Sequence, residues 1–148
     1  MTSSFSFMGV ATTSSSTSGS LEGADEIGAL GESVEEATIA SMSLGGPTST
    51  IINSAVSSMK NAGILVVVAA GNSNYDACSF SPAGSADAFT VGASDIKDNR
   101  SSFSNFGNCV DIFAPGTNIY STVPGDKYAV FSGTSMATPI LAGFASAV

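Results

Sequence analysis

Residues 64–70 read ILVVVAA, an unbroken apolar run rich in β-branched side chains and bounded by Gly63 and Gly71. A run of this kind predicts a strand buried on both faces, as in a parallel sheet. The preceding stretch, PTSTIINSAVSSMKNAG (residues 47–63), places Ile51, Ile52, Ala55, Val56 and Met59 on one helical face. Thr48 or Ser49 caps its start, Gly63 ends it in the left-handed conformation, and Lys60 sits in the last turn, where the helix dipole favours a cation. Before it, TIASMSL (residues 38–44) reads as a short strand closed by Gly45-Gly46. Strand, helix and strand in succession make a βαβ unit.

Weaker patterns flank this unit. Ile27, Leu30, Val34 and Ala37 recur at helical spacing among acidic residues. Residues 88–93, 110–113, 118–123 and 128–131 read as further short strands, and residues 135–148 as an apolar, Ala-rich helix. That last segment has no Gly or Pro stop signal, so the reading expects the chain to end inside an element. Residues 1–20 are a Ser/Thr-rich, low-complexity lead, expected to be disordered. The lead has no basic start and only a short, broken apolar segment, so it makes no convincing signal peptide.

Composition narrows the function. With 43% hydrophobic and 11% charged residues the chain is globular in character. Four basic residues and a net charge of −8 argue against nucleic acid and against anionic membranes as partners. The longest apolar run is far too short to span a bilayer.

Three short motifs carry candidate chemistry. In AAGN (residues 69–72) Gly71 permits a sharp turn at the carboxyl end of the buried strand, where ligand sites of α/β sheets gather. The Asn72 side-chain amide there is a donor suited to a developing oxyanion. In SLGG (residues 43–46) an extended, glycine-flanked backbone leaves main-chain groups free to pair with a peptide. In GTSMATP (residues 133–139) Ser135 stands where a helix begins, so its N–H is an unsatisfied donor, and Pro139 fits only the opening of that helix. Taken singly, each has a plainer reading: a turn asparagine, a strand-to-helix turn and a capping serine.

In this order the three motifs resemble the subtilisin-like serine proteases, and within them the proteinase K-like branch. SFSPAGSADAFTVGASD (residues 79–95) and RSSFSNFGNCVDIFAPGT (residues 100–117) carry the same resemblance, which covers residues 38–148. It implies an α/β, parallel-sheet, three-layer subtilisin-like fold, here incomplete, with residues 21–148 a partial peptidase domain. Carried over by position, Ser135 is the nucleophile, and Asn72 with the Ser135 N–H forms the oxyanion hole. Ser43, Leu44 and Gly45 pair with an extended peptide or protein substrate. Leu44, Gly45 and Gly46, and Ala69, Ala70 and Gly71, form two walls of the primary specificity pocket. Small Gly71 and Ala83 leave that pocket roomy and apolar, suited to large apolar or aromatic side chains.

The resemblance further implies a structural Ca²⁺ on Asp111 and the carbonyls of Ala86 and Ala88, an all-oxygen set such as Ca²⁺ prefers, and no organic cofactor. Cys78 and Cys109 could be buried free thiols; the family has members with a bridge in this context, which points to an oxidising compartment and a secreted protein. Asn99-Arg100-Ser101 is a glycosylation sequon.

One feature departs from the pattern. Subtilisin-type proteases use Asp, His and Ser in that order. This sequence contains no histidine, and Asp25, in GADEIG, lacks the family's D-[ST]-G context. The expectation is therefore a carboxyl-half peptidase segment, inactive alone, whose partner is the missing amino half. The alternative is a non-catalytic peptide-binding remnant that uses the SLGG strand and cuts nothing.

Overall fold

The computed structural model describes residues 11–12 and 39–147. The Ser/Thr-rich lead and the helical pattern at Ile27, Leu30, Val34 and Ala37 lie outside these apart from residues 11–12. Among the described residues, nine strands and two α-helices follow in chain order: β1 (Ala11–Thr12), β2 (Ile39–Met42), β3 (Gly46–Pro47), α1 (Thr50–Asn61), β4 (Leu65–Ala69), β5 (Phe80–Ser81), β6 (Phe89–Ser94), β7 (Ile112–Pro115), β8 (Ile119–Val123), β9 (Lys127–Phe131) and α2 (Thr134–Ala145). A 3-10 turn, Ala77–Ser79, precedes β5.

The main sheet has the order β1-β2-β4-β6-β7. Strands β2, β4, β6 and β7 run parallel, and β1 joins β2 antiparallel. Strand alternation builds two cores, one on each face. Ile39, Val67, Val91, Ala93 and Ala114 meet Ala137 and Ala142 of α2. Ala40, Met42, Val66 and Val68 meet Val56 and Met59 of α1. The apolar run of residues 64–70 is thus used on both sides, which makes the molecule three-layered, helix on sheet on helix.

Helix α1 is capped as its sequence suggests. Ser49 accepts from the Ile52 N–H, and Gly63 follows the helix at φ +85°. Its buried stripe is narrower than the pattern of five apolar residues suggests, since Ile51 is 81% exposed. Ile51 lies about 100° round the helix from Ile52, beyond the arc that Val56 and Met59 press onto the sheet.

One strand prediction shifts, and two others form a sheet of their own. The run at residues 110–113 becomes β7 two residues later, because Val110 packs beside Cys109 in a small cluster with Ala70, Ala77 and Ala83. Pro115 is accommodated because β7 is the sheet edge and one side needs no N–H. The runs at 118–123 and 128–131 form strands but do not enter the sheet. They pair with each other as a separate hairpin, β8–β9, across a turn with positive φ at Gly125 and Asp126. The β3–β5 pair, Gly46 opposite Ser81, has no signal in the hydrophobic pattern.

Candidate active site

Strands β2 and β4 are parallel neighbours, with Met42 opposite Val68, so SLGG and AAGN leave the sheet side by side at its carboxyl edge. Helix α2 runs along the same face and contacts β2, β4, β6 and β7. Its first turn arrives beside both motifs. The three stretches, far apart in sequence, therefore meet in one place.

Hydrogen bonds fix the meeting. Asn72 Oδ1 accepts from the Thr134 N–H at 2.8 Å and from the Thr134 hydroxyl at 3.0 Å. The Gly71 N–H donates to Thr134 Oγ1 at 3.2 Å. With its oxygen so engaged, the Asn72 amide leaves Nδ2 without an acceptor among the described residues. At the helix start the Thr134 N–H goes to Asn72 and the Met136 N–H to Gly133 O. The Ser135 N–H between them has no acceptor among the described residues. Two donors without acceptors, the Asn72 Nδ2 and the Ser135 N–H, thus belong to one hydrogen-bonded turn at the positive end of a 12-residue helix. A Cβ at Gly133 would stand 3.7 Å from the Asn72 amide, in ordinary van der Waals contact, so the Asn72 amide packs directly against this turn.

Pro139 lies inside α2, not merely at its opening. Having no N–H, it cannot bond the carbonyl four residues back, which is that of Ser135. The Ser43 hydroxyl takes that carbonyl instead, at 3.0 Å. The proline therefore frees one helical acceptor, and the SLGG strand uses it to tie its end to the Ser135 turn. Residues 43–45 pair with no strand among the described residues. Gly46 is held in the β3–β5 pair, and the Leu44 side chain packs on the α1-side core.

One residue of this site has no signal of its own in the sequence. Asn105 is fully buried. Its Nδ2 donates to Ala70 O at 2.8 Å, and its Oδ1 accepts from the N–H groups of Ser73 at 3.0 Å and Tyr75 at 3.1 Å. Its own N–H donates to Gly71 O at 2.9 Å. Asn105 thus clamps the chain on both sides of Asn72. Gly71, at φ +101°, is required by this clamp, since a Cβ there would fall 2.4 Å from Asn105 Nδ2. The space at Gly71 is filled by Asn105. Ala70 and Ala83 share a small buried cluster behind the walls. An asparagine in a Ser-rich loop resembles any turn residue, and only the fold shows what it holds.

The family model described as the Subtilase family matches residues 4–148. The chain belongs to the subtilase family. Subtilisin-like proteinase Spm1 of Pyricularia oryzae is 56% identical over 108 residues, 72% of this chain and 20% of that protein. Proteinase R of Parengyodontium album is 54% identical over 108 residues, 73% of this chain and 28% of that protein. Alkaline serine exoprotease A of Vibrio alginolyticus is 49% identical over 133 residues, 90% of this chain and 24% of that protein. A crystal structure of a cold adapted subtilisin-like serine proteinase matches with a TM-score of 0.78 and 45% identity, covering 83% of this chain and 45% of that one. The fold is thus subtilisin-like and the relatives include proteinase K-like proteins, while this subtilase chain spans less than a third of each of the three sequence relatives and under half of the solved structure. It contains no histidine.

Cys78 and Cys109 form a disulfide, with Cα atoms 5.3 Å apart. Asp111 Oδ2 accepts from the Thr90 N–H at 2.7 Å, leaving Oδ1 without a donor among the described residues. No group of three or more His, Cys, Asp or Glu side chains gathers among those residues, and no described helix is long and apolar enough to cross a membrane.

Proposed function

We propose that this chain carries the nucleophile, the oxyanion donors and the substrate-binding strand of a subtilisin-like serine endopeptidase. The observation that supports this is the pair of donors without acceptors among the described residues, Asn72 Nδ2 and the Ser135 N–H, brought to one turn by the Asn72–Thr134 hydrogen bonds. An extended peptide pairs with the unpartnered backbone of Ser43, Leu44 and Gly45. Its side chain before the scissile bond enters between Leu44–Gly45–Gly46 and Ala69–Ala70–Gly71. Ser135 Oγ attacks the carbonyl carbon, and the two donors stabilise the oxyanion that forms. Removing one such donor costs about a hundred- to a thousandfold in rate.

The hydroxyl proton needs a base, and an aspartate must orient that base. With no histidine in this sequence, both come from a partner segment, the amino half of the peptidase domain, and the chain by itself turns over no peptide. The disulfide and the family fit a secreted protein.

A structural calcium fits the donors at Asp111. By the family resemblance, the free carboxylate oxygen of Asp111 and the carbonyls of Ala86 and Ala88 would be its hard-oxygen ligands. The ion would fasten the amino end of β6 to β7. Calcium is expected to raise the melting temperature, and Asp111→Asn to abolish that rise.

The test uses a chromogenic peptide with a large apolar residue before the cleaved bond. The chain alone is expected to leave it intact. Mixed with the amino half of Spm1 from Pyricularia oryzae, it is expected to cleave, and Ser135→Ala to remove the cleavage. Turnover by the chain alone, lost in Ser135→Ala, would refute the need for a partner. Peptide binding without cleavage in an assembled complex would make the chain a binding remnant.

A further inference from the structure

Asn99-Arg100-Ser101 plays no part in the site above, and no other Asn in the sequence is followed two positions on by Ser or Thr with a non-proline between. We propose that Asn99 is an N-glycosylation site, and that its glycan is added before the chain folds.

The acceptor side is open. Asn99 is exposed, on a turn that leaves the end of β6, and Ile96 on the same turn is 98% exposed. The backbone of Asn99 is held at both ends by one residue. Its N–H donates to Asp95 Oδ1 at 3.0 Å, and its carbonyl accepts from the Asp95 N–H at 2.9 Å. Asp98, at φ +60°, completes the turn. The side-chain nitrogen has only a long contact, 3.4 Å to Asp95 Oδ2. A sugar on that nitrogen therefore disturbs one weak hydrogen bond and no packing. The Cys78–Cys109 disulfide independently fits the oxidising lumen in which this modification occurs.

The rest of the sequon is closed. The Ser101 hydroxyl, which the transferring enzyme must read, is 2.6 Å from Thr117 Oγ1, and Ser101 is only 4% exposed. The Arg100 guanidinium donates to Asn74 Oδ1 at 2.9 Å and to Ser104 O, and stacks over the Phe106 ring at 5.1 Å. An extended Asn-Arg-Ser cannot be drawn from this arrangement without undoing it. The folded molecule tolerates the product but cannot present the substrate, so transfer comes first.

The chemistry needs a lipid-linked oligosaccharide diphosphate as donor. The bond from the sugar C1 to Asn99 Nδ2 forms as the C1–O bond to the diphosphate breaks. The lipid diphosphate leaves, and the amide proton passes to the transferase's base.

The test translates the full chain behind a cleavable secretory leader in the presence of endoplasmic reticulum microsomes. The readout is the mass of the translocated chain before and after peptide N-glycosidase F. A glycosidase-sensitive increase is expected, absent in Asn99→Gln and kept in Ser101→Thr. A translocated wild-type chain with Asn99 unmodified would overturn the site, and this readout needs neither folding nor proteolytic activity. For the timing, solubilised transferase and donor are offered the folded chain and the reduced, unfolded chain. Modification of the unfolded chain alone is expected, and equal modification of both would overturn the order.

Discussion

The loop that presents Asn72 and the tip of the β8–β9 hairpin are both short surface turns built from Gly, Asn, Asp and Ser or Pro, and they are held in opposite ways. At the hairpin tip a Cβ on Gly125 would meet nothing within 4 Å, and the strands pair residue by residue from Ile119–Phe131 to Val123–Lys127. Tyr120 and Tyr128 stack on its open face with centroids 5.2 Å apart, both mostly exposed. The other loop has its glycine pressed against Asn105 and its asparagine bound to Thr134, 62 positions away. One turn is made by its neighbours in sequence, the other by its neighbours in space. Both present side chains to solvent, but only the second holds an amide in one fixed place.

The comparison can be broken most severely at Asn105. Asn105→Ala leaves Ala70 O and the Ser73 and Tyr75 N–H groups without partners, at about 1–3 kcal/mol for each buried group. A loss of roughly 3–5 kcal/mol is expected in denaturant unfolding; a loss below about 1 kcal/mol would show that the clamp is dispensable. The disulfide fastens the same two segments, closing a loop with a sequence separation of 31. Cys78→Ala with Cys109→Ala is expected to lower stability by roughly 3–4 kcal/mol. Combined with Asn105→Ala, the losses should fall short of additivity, because both act on one junction.

The hairpin should answer weakly. Tyr128→Ala removes one exposed cross-strand contact and is expected to shift stability by about 0.2–1 kcal/mol. Thermal melts of the purified chain decide this, and a loss as large as that at Asn105 would erase the contrast.

The smallest effect is electrostatic. Lys60 at 2.6 Å, and then the Ser57 hydroxyl, hold the Asp87 carboxyl below its ordinary 3.8. A carboxylate lowered on folding contributes stability fully above its unfolded value, and that contribution fades as pH falls through the lowered one. Melting temperature should therefore drop below pH 3.8 in part through this group. Asp87→Asn should shallow the drop slightly, consistent with an exposed pair. Backbone N–H groups of Lys97 and Asn99 lower Asp95 in the same direction.

Much of the fold was legible because its signals are local. The run at 64–70, the cap at Ser49 and the turn at Gly63 each lie within a few residues of what they control. The hairpin strands were legible as strands, but not as a separate sheet, since period and propensity do not name a partner. The three motifs were legible as a family resemblance, yet each alone was ordinary. Asn105 was invisible: its partners lie 30 to 35 positions away, and nothing in its own neighbourhood distinguishes it.

By itself, the sequence determined that β4 is buried on both faces, that Ser135 opens a helix and that this chain supplies no imidazole. Those are properties of side-chain type and short-range period. The tertiary structure alone decided that the Ser135 carbonyl freed by Pro139 would find the Ser43 hydroxyl, that Thr134 would turn the Asn72 amide, and that Asn105 would fill the space at Gly71. A buried polar group must find a partner wherever one lies in space, and chain spacing does not encode where that is.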